Sequence, residues 1–264
     1  MQTVSVNTLE YEIDVAALLK RRLLQVKGGA AVAAVSGKDV RTAQISLRSE
    51  EEREALCQAL GLVLLKDAAN FELARMVEHM PLPLGEKQQV LAEAVHVAHQ
   101  AAEESGADGA DPATDVRHVG RLLREHFDRN DHLNLEGFFR FRMQDTLRAF
   151  EIYALCAVEE LLLQREYMEL LHMLSGLVRM QQPRLREVSL ILHADGSCTI
   201  TDDTDARIEC EGCGAAAGAE NEVINLLVAL APARIVVYDL SCGRWGELSE
   251  ALLQVFEDRV SFFR

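Results

Sequence analysis

The strongest constraint on the fold is a run of 38 residues, from Phe138 to Ser175, that contains neither glycine nor proline. Such a run favours continuous helix, but a single rod would be about 57 Å long at ~1.5 Å per residue. That length exceeds the size of a compact domain in a chain of 264 residues. The apolar stripe of the run also shifts across the polar cluster Gln164-Arg165-Glu166. We therefore expect two packed helices that meet at this cluster.

The residues before this run predict a small N-terminal α/β unit. Apolar, β-branched segments at 3–6 and 40–47 are typical of strands, and 30–35 is a third candidate strand. Apolar residues at helical spacing lie between these segments and after them, which predicts helices there. Ser49 is followed by three glutamates, which has the form of a helix N-cap with acids in the first turn. These patterns predict an α/β and helical unit over residues 1–104.

Residues 105–115 differ in composition from the segments on either side. They are acidic and rich in glycine and alanine, show no apolar periodicity, and can bury little surface. We interpret them as an exposed linker. The chain is then expected to divide into an N-terminal unit, 1–104, and a second domain, 116–264.

The last third of the chain changes to a strand-rich pattern. Residues 188–192 and 198–201 flank an Asp195-Gly196 turn, which predicts a β-hairpin. Helical and strand patterns then alternate to the end of the sequence, which predicts a sheet covered by helices. The predicted fold class is therefore α/β (α+β), with a small N-terminal α/β unit, central long helices and a small mixed C-terminal sheet covered by helices.

Charge and hydropathy limit the classes of partner. The formal net charge is −15, from 42 acidic and 27 basic residues, which opposes binding to phosphate backbones. The longest nearly uncharged apolar stretch, 223–233, is 11 residues long, whereas a membrane span needs about 20. The first residues also lack the basic and apolar regions of a secretory signal. We expect a cytoplasmic protein that does not span a membrane, and the charge disfavours nucleic acid as its partner.

Cysteines supply the one motif with metal-ligand spacing. Cys210 and Cys213 form a CxxC pair, and Cys198, Cys242 or His193 could complete a tetrahedral site if the fold brings them together. A redox dithiol is a second reading. A lone CxxC in a segment rich in glycine and alanine favours incidental loop cysteines with reduced thiols over either alternative. We therefore predict no metal and no cofactor.

Aromatic and basic side chains alternate in Phe138-Phe139-Arg140-Phe141-Arg142. Such interleaving could stack on and grip a single-stranded nucleic acid. On a helix, however, Phe138 and Phe141 are three residues apart and share a face, which is the spacing of core residues. We favour packing as their role. The preceding Asn134 is expected to cap this helix, with Glu136 in its first turn.

Several short motifs occur in the order found in one protein family. They are Asn134-Leu135-Glu136-Gly137-Phe138 with Arg142, Glu166-Tyr167, Gln182-Pro183, Glu187-Val188, Ala231-Pro232-Ala233-Arg234-Ile235-Val236 and Phe256-Glu257-Asp258-Arg259-Val260. In these motifs, over residues 133–263, the chain resembles the YtxC-like family of sporulation proteins from endospore-forming bacteria. The resemblance implies a role in sporulation. It carries over no catalytic residues.

Within these motifs we select Asn134, Glu136, Arg142 and Arg259 as candidate binding residues. Arg142 could pair with a carboxylate such as Glu136 or Glu166. No nucleotide-binding loop, nucleophile elbow or other catalytic motif occurs, so we assign no catalytic residue.

These observations favour a cytoplasmic, non-catalytic protein-interaction factor that acts in sporulation through a protein partner or as a homo-oligomer. Two alternatives stay open. One is an enzyme or small-molecule sensor whose site lies between the two units and uses Glu136, Arg142 and Arg259. The other is a nucleic-acid-binding protein, which salt-dependent retention on DNA or RNA would reveal.

Overall fold

The computed structural model describes residues 2–29, 34–104, 111–209, 219–241 and 244–263. The chain forms two compact units, residues 1–162 and 163–264. Each contains a small mixed sheet and several helices, which confirms the predicted α/β (α+β) class. Cys210, Cys213 and Cys242 lie outside the described residues, and so does their proposed metal site. Among the residues that the structure describes, no group of metal-ligating side chains converges.

The sheet of the first unit has four strands in the order β2-β3-β1-β4. They are β1 (Gln2–Asn7), β2 (Ala34–Asp39), β3 (Thr42–Leu47) and β4 (His132–Asn134). Strand β1 pairs antiparallel with β3 and parallel with β4, and this register places Asn7 beside Asn134. The strands predicted at 3–6 and 40–47 are confirmed as β1 and β3. The candidate strand at 30–35 overlaps the start of β2, while 30–33 lie outside the described residues.

Among the described residues of the first unit, six α-helices precede a long seventh helix. They are α1 (Val15–Leu23), α2 (Glu50–Leu62), α3 (Ala69–Glu78), α4 (Leu84–Glu103), α5 (Val116–Phe127) and α6 (Leu135–Arg142). A π-helical turn, Val63–Ala68, joins α2 to α3. The Ser49 hydroxyl accepts a hydrogen bond from the Glu52 backbone N–H at 3.2 Å, which confirms the predicted N-cap of α2.

Helix α5 follows the segment predicted as a linker, yet it packs against α2, which precedes that segment. The two helices approach closely at Gly61, where an added Cβ would lie 3.2 Å from the Val116 carbonyl oxygen. Leu60 and Leu123 belong to the same hydrophobic core. The compact units therefore differ from the predicted 1–104 and 116–264, because one core contains residues from both sides of 105–115.

Helix α7 (Gln144–Met180) is one continuous helix of 37 residues. The predicted break at Gln164-Arg165-Glu166 is wrong, because all three are strong helix formers and Arg165 pairs with Glu169 at 3.3 Å. The apolar stripe shifts because the helix contributes to two cores. Phe150 and Ala154 belong to the core of the first unit, and Leu171 and Val178 to that of the second.

The second unit has a five-stranded sheet in the order β7-β6-β5-β8-β9. The elements are β5 (Val188–Leu192), β6 (Cys198–Asp202), β7 (Arg207–Ile208), α8 (Ala219–Leu230), β8 (Ile235–Asp239), α9 (Gly246–Phe256) and β9 (Val260–Phe263). Strands β5 and β6 form the predicted hairpin, whose Gly196 has a φ of +85°. The mixed sheet covered by helices is confirmed. None of the helices in the described ranges could cross a membrane.

Candidate functional site

Glu136 lies in the first turn of α6 and is 3% exposed. One carboxylate oxygen, Oε1, accepts hydrogen bonds from the backbone N–H groups of Leu9 (2.9 Å), Glu10 (2.8 Å) and Tyr11 (3.0 Å). The Thr8 hydroxyl donates a further hydrogen bond to the same atom. Glu136 therefore fills a nest of donors formed by residues 8–11, which connect β1 to α1, and does not pair with Arg142.

The environment of Glu136 keeps its carboxylate ionised. Burial favours the neutral form, but the hydrogen bonds from Thr8, Tyr11 and Glu10 outweigh it and lower the pKa of Glu136 below its ordinary value. The other carboxylate oxygen, Oε2, is buried and has no hydrogen-bond partner among the described residues. Because its four donors come from the chain itself, Glu136 acts here as an internal anchor for the segment between β1 and α1.

A second buried carboxylate, Glu72 on α3, lies next to this anchor and is 1% exposed. It accepts hydrogen bonds from the Tyr11 hydroxyl at 2.8 Å and from Arg75 at 2.6 Å. Arg140 on α6 lies 3.7 Å from Glu72 and also pairs with Glu10. Burial and the Glu72 hydrogen bond raise the pKa of Tyr11. Sequence patterns missed this cluster, because its partners are up to 130 residues apart.

Asn134 caps α6, as predicted. Its Oδ1 accepts a hydrogen bond from the Gly137 backbone N–H at 2.7 Å, and its Nδ2 lies 3.4 Å from the Asn7 side-chain oxygen. A Cβ on Gly137 would lie 2.9 Å from the Asn134 Oδ1. The Asn-Leu-Glu-Gly motif thus combines a helix cap, an internal anchor and a glycine that leaves room for the cap.

Arg142 lines a surface cleft of about 510 Å³ between the end of α5 and α6. We call it the α5–α6 cleft, and its lining includes His126, Arg129, His132, Asn134, Phe141 and Arg142. The side chains of Arg129 and Arg142 are exposed, and neither guanidinium group forms an ion pair or hydrogen bond with any residue that the structure describes.

The aromatic residues of α6 divide between core and cleft. Phe138 is 4% exposed, whereas Phe141 is 77% exposed, so the expected packing role is wrong for Phe141. Helix α6 ends at Arg142, directly after Phe141, and its buried face is already filled by Phe138 and Phe139. Phe141 therefore presents its ring to the cleft and to solvent.

Arg259, the fourth candidate, belongs to the second unit. Its guanidinium donates to the backbone carbonyls of Pro232 at 3.3 Å and Val178 at 3.1 Å. It thereby ties the end of α7 to the turn before β8, which is a structural role. A site that combines Glu136 and Arg142 with Arg259 stays a hypothesis.

The second unit carries an exposed apolar surface on α7. We call it the α7 ridge and define it by Leu163, Tyr167, Leu170, Met173, Leu177 and Met180, which are between 40% and 78% exposed. At 100° per residue, these six side chains fall within roughly 140° of the helix circumference. Individual exposed apolar residues are ordinary, but a contiguous row over five turns is characteristic of an interaction surface.

The spacing of the α7 ridge is that of a coiled-coil seam. Leu163, Leu170 and Leu177 are seven residues apart, and Met173 and Met180 follow the last two at the alternate core position of each heptad. The corresponding position after Leu163 is Glu166, whose side chain forms no ion pair within the described ranges. A surface of this spacing fits a second helix.

Acidic groups border the α7 ridge at Tyr167. Burial raises the pKa of the Tyr167 hydroxyl, and the carboxylates of Glu220 and Glu247 raise it further. Burial and the charge of Glu247 also raise the pKa of Glu220. The first turns of α8 and α9 thus place two mutually repelling carboxylates beside the ridge, where a basic side chain would relieve the repulsion.

A sequence profile of the YtxC-like family matches residues 63–261, about three quarters of the chain. The match confirms the resemblance and extends it towards the N-terminus, from residue 133 to residue 63. It includes both α6 and the α7 ridge. Comparisons with curated proteins and with solved structures gave no match. On the strength of the profile, the chain belongs to the YtxC-like family.

Proposed function

We propose that the protein is a non-catalytic, cytoplasmic interaction factor of sporulation that binds a basic amphipathic helix of a partner protein on the α7 ridge. The observation that carries the proposal is the heptad row of exposed Leu and Met side chains on α7. The sporulation context rests on the family resemblance. Binding of an amphipathic helix by a matching apolar surface is a common mode of recognition.

Charge supports a basic partner. Glu166 occupies a core position of the heptad, where a docked helix would remove its carboxylate from water. An unpaired buried charge is strongly unfavourable, so the partner must offer Lys or Arg at that point. The neighbouring Glu220 and Glu247 favour the same choice.

The same argument disfavours a second copy of this chain as the partner. A parallel, in-register pairing of two α7 helices would place Glu166 against Glu166. An antiparallel pairing would place Glu166 against an apolar position of the ridge. The net charge of −15 adds long-range repulsion between copies.

Two matched substitutions test the proposal. Leu170 and Met168 lie on the same helix and are both 47% exposed, but Met168 points roughly 170° away from the centre of the ridge. We expect Leu170→Glu to weaken binding of a Leu-and-Lys heptad peptide by about tenfold or more, because a buried Leu contributes ~1.5–3 kcal/mol. Met168→Glu should leave binding unchanged, as measured by fluorescence anisotropy.

Three results would contradict this account. Equal weakening by the two substitutions would show that the ridge is not the contact surface. Equal binding of a Leu-and-Glu heptad peptide would remove the case for a basic partner. Self-association in sedimentation that Leu170→Glu abolishes and Met168→Glu preserves would identify a second copy as the occupant.

A further inference from the structure

The α5–α6 cleft has the size and polarity of a small-ligand site and plays no part in the proposed helix binding. Its volume of about 510 Å³ falls within the ~300–1,000 Å³ typical of ligand pockets. The cleft belongs to the first unit, whereas the α7 ridge belongs to the second. Its function can therefore be tested independently of the ridge.

The cleft is basic although the chain is acidic. Arg129, Arg142, His126 and His132 line it, against Glu125 as the one acidic side chain among its described lining residues. Neighbouring arginines of α5 and α6 are neutralised. Arg124 on α5 pairs with Glu50 and Glu54, and Arg140 on α6 pairs with Glu10.

This contrast points to an anionic ligand. In a chain with 42 acidic residues, two exposed guanidinium groups at one cleft form no ion pair with the described residues. Arginine is the side chain best suited to phosphate, because its planar fork can donate two parallel hydrogen bonds to phosphate oxygens.

The lining of the cleft also includes an exposed aromatic ring, that of Phe141, together with aromatic rings that pack against each other. Phe141 is 77% exposed, which leaves its ring open for stacking. Two other lining residues, His126 and Phe138, contact each other edge-to-face with ring centroids 5.6 Å apart. The His126 Nε2 lies 2.9 Å from the His132 carbonyl oxygen, so this nitrogen carries the proton and the ring is fixed.

We propose that the α5–α6 cleft binds a mononucleotide, with its phosphate on Arg129 and Arg142 and its base against Phe141. A mononucleotide combines the two features that the cleft complements, a small anion and a planar ring. A longer nucleic-acid strand is disfavoured, because the net charge of −15 repels a polyanion far more strongly than a single phosphate group.

Isothermal titration of the full chain with AMP, GMP, CMP and UMP tests the proposal, with inorganic phosphate and adenosine as partial ligands. We expect at least one mononucleotide to bind more tightly than either fragment. Arg129→Gln and Arg142→Gln should each weaken binding by about tenfold or more, because each removes charge-assisted hydrogen bonds. Phe141→Ser should abolish the preference for the nucleotide over inorganic phosphate.

Arg117→Gln is the matched control, since Arg117 is an exposed arginine of α5 that does not line the cleft. It should bind like the unaltered protein. Equal loss in Arg117→Gln would show that only net charge matters and would overturn the site.

Absence of mononucleotide binding to the folded protein at millimolar concentration would overturn the proposal. Tighter binding of a single-stranded oligonucleotide than of any mononucleotide would also overturn it, in favour of nucleic-acid binding.

Discussion

Glu136 joins two segments of chain that lie at least 125 residues apart. Its carboxylate accepts hydrogen bonds from residues 8–11. The neighbouring Glu72 carboxylate accepts a hydrogen bond from the Tyr11 hydroxyl. The first turn of α6 and the segment between β1 and α1 therefore form one polar assembly within the first unit. Buried carboxylates satisfied in this way stabilise a fold only while they stay ionised.

Replacement of Glu136 by Gln should destabilise the protein by about 1.5–3 kcal/mol at neutral pH, because hydrogen bonds to a charged acceptor become hydrogen bonds to a neutral one. The pKa of Glu136 is lowered in the fold, so its contribution is complete above the ordinary value of 4.5. That contribution is lost as the pH falls through the lowered value. The difference between the two proteins in chemical denaturation should therefore shrink below about pH 4.

Glu12→Gln is the control for this prediction. Glu12 is exposed and adjoins the same segment, so its replacement should change stability by less than about 0.5 kcal/mol. A difference between Glu136→Gln and the unaltered protein that stays constant from neutral to acid pH would contradict the anchor role.

Local sequence signals predicted local features. The Asn134 and Ser49 caps and the Asp195-Gly196 turn are encoded within a few residues, and all three form as expected. Long-range partners have no such signal. Arg142 was expected to pair with a carboxylate such as Glu136 or Glu166, whereas Arg140, two residues earlier, is the arginine that pairs with a carboxylate, that of Glu10.

At the scale of elements, α7 shows why a shift in an apolar stripe does not imply a break. A stripe marks the surface against which a helix packs, and α7 packs into two different cores along its length. With no glycine or proline to interrupt the backbone hydrogen bonds, the helix continues through the polar residues between the two cores. The boundary between the units falls at Leu162 and Leu163, next to the predicted break.

Continuity of α7 can be measured at Gln164, which is exposed. In an exposed helix interior, glycine is about 1 kcal/mol less favourable than alanine. Gln164→Gly should therefore be about 1 kcal/mol less stable than Gln164→Ala in chemical denaturation. Equal stability of the two variants would indicate that the backbone at this position is not helical.

At the scale of the whole molecule, two cores imply two cooperative units. Trp245 is the one tryptophan in the chain, and it is buried in the second unit. Its fluorescence therefore reports on the unfolding of that unit, whereas far-ultraviolet circular dichroism reports on both. Sequence patterns predicted two units but placed their boundary at the acidic segment rich in glycine and alanine. The observed boundary lies inside a helix, where composition gives no signal.

Phe139→Leu should separate the two transitions. Phe139 is fully buried in the core of the first unit, and truncation of a buried aromatic ring leaves a cavity that destabilises its own core. The circular dichroism midpoint should fall while the Trp245 fluorescence midpoint changes little. Coincident shifts of both midpoints would show that the chain unfolds as one unit.

The α7 ridge is proposed to bind a basic partner helix during sporulation. The most direct measurement places a photo-crosslinking residue at Met173, on the ridge, or at Met168, off it, in sporulating and in growing cells. We predict that position 173 crosslinks in sporulating cells to a basic amphipathic segment of one protein, identified by mass spectrometry, and that position 168 does not. The same crosslink from both positions, or a peptide of this chain itself as the product, would contradict the claim.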